Sequence, residues 1–248
     1  MKKTLVTSLT LALVGSFLMS GSALALPVGQ DTVDTTALQT LFTKGNSKID
    51  VAKDETGDQL FGFQTSGATA TYIANFAPLT VLEFGIYDAG NTDNKLTLLT
   101  CKNSLSNNTQ IYIDFDLPHH NITSYKFGQP TYIDQIDLAS NAFGFYVTNK
   151  IGETYYSALA DNGGKDNFLT YIGAGDTVTL PGLNHRNDFA HWYIAAESSS
   201  VGDGKADNFK DIVVQMESIQ PVPEPATMFL LGTGLVGLAS VHRRKDEE

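Results

Sequence analysis

A single cysteine, Cys101, excludes an intramolecular disulfide. It closes the alternating run Leu96 to Thr100 and reads as a half-buried apolar residue rather than a nucleophile. Positive charge is scarce: 16 Lys and Arg stand against 27 Asp and Glu, a formal net charge of −11. That balance argues against nucleic acid as a partner, because binding its phosphates needs Lys and Arg. There is no G-x-S-x-G elbow and no H-E-x-x-H pair, and the five histidines lack zinc spacing. A long amphipathic helical period is missing as well, which removes βαβ units from consideration. Long uncharged apolar runs occur only near the two ends, from Leu9 to Met19 and from Ala226 to Val241.

The first of these runs follows Lys2 and Lys3 and precedes Ala23-Leu24-Ala25. A basic start, a short apolar run and a small-x-small site make residues 1–25 a signal peptide, cut by signal peptidase after Ala25, with Ala23 as the other small residue of the site. The second run lies between Pro223-Glu224-Pro225 and the basic end 242–245, which contains Arg243, Arg244 and Lys245. As a helix, residues 226–241 reach ~24 Å, enough to span the ~30 Å hydrocarbon core with flanking residues in the interface. The cations would stay on the cytoplasmic side and leave the bulk of the chain outside. Gly232, Gly234 and Gly237 give that helix a small-residue face which another membrane helix can approach closely.

This order of Pro-Glu-Pro, apolar helix and basic cluster, within residues 221–248, resembles the PEP-CTERM sorting tail. The resemblance implies cleavage near Pro223-Glu224-Pro225 by an exosortase-type membrane protease. The plain alternative is a permanent anchor of the same topology. On either reading the protein is exported through the inner membrane and held, at least transiently, by its C-terminal helix. A sorted protein ends at the cell surface or outside the cell.

Between the targeting ends, residues 26–43 read as a leader or first strand, in which Leu38, Leu41 and Phe42 allow one short helical turn. Residues 44–220 read as one β-sandwich domain. Nine runs rich in Val, Ile, Tyr, Phe and Thr are strand candidates: 68–73, 81–87, 95–100, 110–115, 142–148, 154–157, 167–173, 191–196 and 212–219. Asp-, Asn- and Gly-rich turns separate them, as at Asp88-Ala89-Gly90-Asn91 and Asp161-Asn162-Gly163-Gly164. The expected class is all-β, an antiparallel, jelly-roll-like β-sandwich.

The stretches FGIYDAGNTDNKLTLL, AFGFYVTNKIGETYYSALADNGGKDNFLTYIG and HWYIAAESSSVGDGKADNFKDIVVQMESI resemble a family of exported β-sandwich domains of unknown function often attached to PEP-CTERM tails. Where that family often has an Asp-x-Asp-aromatic-Asn-Asp run, this chain has Ala206 in place of an Asp and Lys210 in place of the Asn, which weakens a metal set.

Hard oxygen donors nonetheless gather before the last strand: Glu197, Asp203, Asp207, Asn208 and Asp211, with glycines that permit a tight loop. Calcium accepts such a set, since it takes six to eight oxygens in flexible geometry. A solvated acidic turn is the competing reading. Tyr156, Tyr171 and Tyr193 are candidates for an aromatic platform that binds the sugar rings of an exopolysaccharide, with Tyr155 and Trp192 nearby. The sequence therefore reads as a non-catalytic, exported protein of the surface or of a biofilm matrix, with calcium as its one expected cofactor. A secreted polysaccharide-acting hydrolase is the alternative from another class.

Overall fold

The computed structural model describes residues 34–57, 59–74, 81–100, 109–126, 132–181, 183, 186–189, 191–199 and 208–222. Every strand pair in it is antiparallel, and the all-β class holds. One sheet has six strands: β1 (Leu60–Phe63), β3 (Val81–Asp88), β4 (Asn91–Thr100), β8 (Phe143–Asn149), β9 (Thr154–Tyr156) and β15 (Ile219–Pro221). They run in the order β15-β1-β8-β3-β4, with β9 also pairing β8. The second has seven: β2 (Gly67–Ala74), β5 (Gln110–Asp116), β6 (Asn121–Lys126), β7 (Tyr132–Asp137), β10 (Phe168–Ile172), β13 (Trp192–Ala196) and β14 (Ile212–Glu217). Their order is β10-β13-β14-β2-β5-β6-β7. A small ribbon of β11 (Thr177–Val178) and β12 (Arg186–Asn187) lies apart.

The core between the sheets is aromatic. Phe61, Phe63, Phe84, Phe143 and Phe145 from the six-stranded sheet meet Phe115 and Trp192 from the other. The indole of Trp192 stands 5.1 Å from the ring of Phe61, edge to face. One bent ribbon joins the layers. The chain crosses from β1 to β2 and back from β14 to β15, and the backbone N–H of Gln64 donates to Ser218 at the bend. Ser218 takes a left-handed conformation, φ 64°, and this breaks the run Ile212 to Ile219 into two strands belonging to different sheets.

Residues 36–44, where a short helical turn or a first strand was expected, form helix α1 (Thr36–Lys44). Its buried Leu38 and Phe42 lie four residues apart on one face. They pack on the outer side of β10, β13 and β14 to make a second core with Ile49, Val51, Tyr171, Tyr193, Val213 and Phe209. Half of the seven-stranded sheet is thus buried on both faces. That explains why WYIAA and the first five residues of IVVQME are buried throughout instead of alternating between buried and exposed positions.

The expected signal peptide and the expected membrane helix at 226–241 lie outside the described residues. Among the described residues, no helix is long and apolar enough to cross a membrane.

Candidate functional site

The pairing of Ala196 with Ile212 ends the β13–β14 ladder and sets Glu197 opposite Asp211 one step further on. Directly opposed residues of antiparallel strands carry neighbouring side chains. The two carboxyl groups are close enough for the charge of one to act on the other. Both residues are buried, 5% and 6% exposed. Burial first, and the charge of Asp211 second, push the Glu197 carboxyl up to about 7.

Donors hold each group in place. The Asp211 Oδ2 accepts from the backbone N–H of Ser198 at 2.9 Å and from its hydroxyl at 2.6 Å. Glu197 Oε1 accepts from the Ser199 hydroxyl at 2.8 Å, and Oε2 accepts from the backbone N–H of Asn208 at 3.2 Å. A cavity of about 330 Å³, lined by Asn149, Lys150 and Ile151 with Glu197, Ser198, Ser199 and Asp211, gives the pair access to solvent.

Asn167 closes the other side. Its backbone carbonyl accepts from Glu197 N–H at 2.9 Å, and its Nδ2 donates to the carbonyls of Glu197 at 3.1 Å and Ser199 at 2.7 Å. Among the described residues its Oδ1 has no hydrogen-bond partner, and the residue is 1% exposed. Asn149 supports the same strand end by donating to the Ser198 carbonyl at 3.2 Å. Neither asparagine stands out in the sequence, where Asn167 reads as an ordinary turn residue before β10.

Of the expected oxygen donors, Glu197 and Asp211 come together. Asn208 contributes its backbone N–H rather than its side chain, whose Oδ1 accepts from Lys210 N–H at 3.4 Å. Asp203 and Asp207 lie outside the described residues. Among the described residues, no three His, Cys, Asp or Glu converge as a metal set. Two carboxylates and a buried amide oxygen are donors of the kind calcium takes, but they fill only part of its shell. Backbone carbonyls and water would have to supply the rest.

The expected aromatic platform does not form as expected. Tyr171 and Tyr193 are fully buried in the second core, because α1 covers β10 and β13 on their outer face. Phe42 meets both rings edge to face, at 5.9 and 5.2 Å. Their hydroxyls donate inward, Tyr171 to the Val51 carbonyl and Tyr193 to Asp188 Oδ2. Tyr156, half-buried on β9, packs edge to face on Tyr87 at 4.9 Å, with the Lys95 ammonium 5.8 Å from its ring.

The fold ends where the tail begins. Pro221 pairs with Phe61, and the N–H of Val222 donates to the Leu60 carbonyl at 2.9 Å. Residues 221–245 match the family of the PEP-CTERM protein-sorting motif. The chain carries a PEP-CTERM sorting motif. Such a motif marks an exported protein that is processed at the membrane by an exosortase. Pro223, Glu224, Pro225, Arg243 and Arg244 fall within the match but outside the described residues, as do Ala23 and Ala25 of the expected signal-peptide site. No curated protein and no solved structure matches the chain.

Proposed function

We propose that this PEP-CTERM protein is a non-catalytic module of the cell surface or extracellular matrix whose closing hairpin is clamped by calcium at Glu197 and Asp211. The observation that carries the calcium clamp is the buried carboxyl pair across the end of the β13–β14 ladder, beside a cavity open to solvent. Two buried carboxylates facing each other repel unless a proton or a cation sits between them. Outside the cell, calcium can take the proton's place and recruit the buried Asn167 Oδ1, with Asp203 or Asp207 completing the set.

A hydrolase reading has one feature in its favour, a carboxyl that burial raises to about 7 beside a second carboxyl. The surroundings weigh against it. Glycosidases keep their two carboxyls on either side of the scissile bond, with room for the sugar or water between them. Glu197 and Asp211 are both buried, and their oxygens are already held by Ser198, Ser199 and the Asn208 N–H. Such a pair suits holding an ion better than flanking a scissile bond.

Thermal unfolding with calcium, with magnesium and with chelator tests the reading. Calcium at about a hundred times its dissociation constant adds ~2.7 kcal/mol, a rise of several degrees for a domain of this size. The rise is expected for calcium alone and should vanish in Glu197→Gln and Asp211→Asn. An unchanged midpoint in calcium would reduce the hairpin end to a solvated turn.

A further inference from the structure

The second core covers the outer face of only half of the seven-stranded sheet. Over β5, β6 and β7 that face stays open among the described residues. Along β5, Ile111, Ile113 and Phe115 point into the sandwich core, so Tyr112, Asp114 and Asp116 point out. The ladder continues the outward rows across the sheet. Tyr112 pairs with Tyr125, Asp114 with Thr123, and Asp116 with Asn121, which in turn pairs with Asp137.

The Tyr112 ring is held in an unusual position. A Cβ built on Gly67 of β2 would stand 2.6 Å from the Tyr112 hydroxyl oxygen and 3.3 and 3.4 Å from Cζ and Cε2. Gly67 pairs with Asp114, two residues along β5, so the phenol leans diagonally and lies across the neighbouring strand. Only the missing side chain at Gly67 lets it do so. One ring face rests on the sheet while the residue remains 39% exposed. Tyr125 stands beside it, with ring centroids 6.4 Å apart and planes at 42°.

We propose that this face binds a neutral polysaccharide, with sugar rings stacked on Tyr112 and Tyr125 and their hydroxyls bonded to the acidic rows beside them. An aromatic face carries negative quadrupole density, which favours the C–H face of a pyranose. Asp114, Asp116 and Asp137 are acceptors for sugar hydroxyls. Two of them are already oriented: Asp137 Oδ1 accepts from Asn121 Nδ2 at 2.7 Å, and Asp116 Oδ2 bonds His119 Nδ1 at 2.6 Å. The three outward carboxylates repel acidic polysaccharides and nucleic acid alike. They also make the face too polar for an apolar partner. The inference rests on the reading of the protein as an exported module, since that places it beside extracellular glycan, but it does not depend on calcium at Glu197.

The test is native affinity electrophoresis of the full-length protein, in neutral detergent, through gels containing hydroxyethylcellulose, glucomannan, laminarin or alginate. Retardation is expected in at least one of the three neutral polymers and not in alginate. It should be lost in Tyr112→Ala, in Tyr125→Ala and in Gly67→Val, which displaces the Tyr112 ring without adding charge. An unchanged unfolding transition certifies that each variant is folded. Chelator should leave retardation intact, so a failed calcium clamp and a failed glycan face give different results. No retardation in any neutral polymer overturns the proposal, as does retardation that survives both tyrosine variants. So does self-association of the wild type that Tyr112→Ala abolishes, which would assign the face to a second copy of the chain.

Discussion

Phe209 takes φ 47°, a backbone conformation that a bulky side chain rarely adopts, yet its ring is fully buried in the second core. Burial of the ring offsets the strain. The neighbouring Asn208 N–H reaches Glu197, and Asp211 reaches Ser198. The titratable side chains around this region make opposing contributions to stability. Glu217 is held down at about 2, first by its hydrogen bond with His191 and then by the charge of Arg186. Its stabilising contribution is present above its ordinary value of 4.5 and is lost as pH falls toward 2. Glu197 and Asp166 behave oppositely. Burial, the largest cause for both, raises each to about 7. Their contribution is full below the ordinary carboxylate values and is lost as pH rises through 7. In chelator, the unfolding midpoint should therefore fall from pH 4.5 toward 7 and again toward 2. Glu197→Gln should flatten the neutral limb and Glu217→Gln the acid limb. A midpoint that stays level from pH 4.5 to 7 would show that Glu197 and Asp166 titrate normally.

At the scale of the element, α1 decides which face of the sheet is core. It is short, with Asp34 Oδ1 accepting from the Thr36 N–H at 3.1 Å but no side-chain cap from Thr35, so most of its stability comes from docking Leu38 and Phe42 rather than from propensity. Gly45 ends it closely against the chain: a Cβ there would stand 2.3 Å from Leu180 Cδ2. Phe42→Ala should open a cavity beside Tyr171 and Tyr193 and cost about 3–5 kcal/mol in denaturant unfolding. Phe189→Ala, at a position 73% exposed, should change stability by less than about 0.5 kcal/mol. Similar costs for the two variants would mean that the helix does not carry the second core.

At the scale of the whole molecule, the bent ribbon of β1–β2 and β14–β15 closes the sandwich just before the sorting motif. The match begins at Pro221, the last residue of the final strand. A cut near Pro223-Glu224-Pro225 removes the tail and leaves every described strand in place. Expressed in a host with an exosortase, the protein should therefore yield a C-terminus at that tripeptide by intact mass. Its unfolding midpoint should equal that of the uncut chain. In a host without the enzyme it should stay full length in the membrane fraction. Full-length protein in both hosts would leave a permanent anchor as the use of the tail.

Several features were legible without the fold. The sorting tail is a linear address, read from residues adjacent in the chain. All nine strand candidates lie on strands, because β-branched and aromatic runs report local backbone preference. The strands β6, with NITSYK, and β7, with YIDQID, are not legible in the sequence, since outward Asn, Thr, Gln and Asp dilute the apolar signal on an open face. The break at Ser218 was equally hidden, because nothing in QMESI shows a change of sheet. Glu197 and Asp211 were recognisable as oxygen donors, but only the Ala196–Ile212 register sets them face to face, with Asn167 brought in from β10. Tyr171 and Tyr193 look in sequence as available as Tyr112 and Tyr125. Period-two alternation tells which residues share a face of a strand and says nothing of what covers that face. That was decided by α1, about 130 to 150 residues away in the chain, because burial depends on long-range packing that no local pattern encodes.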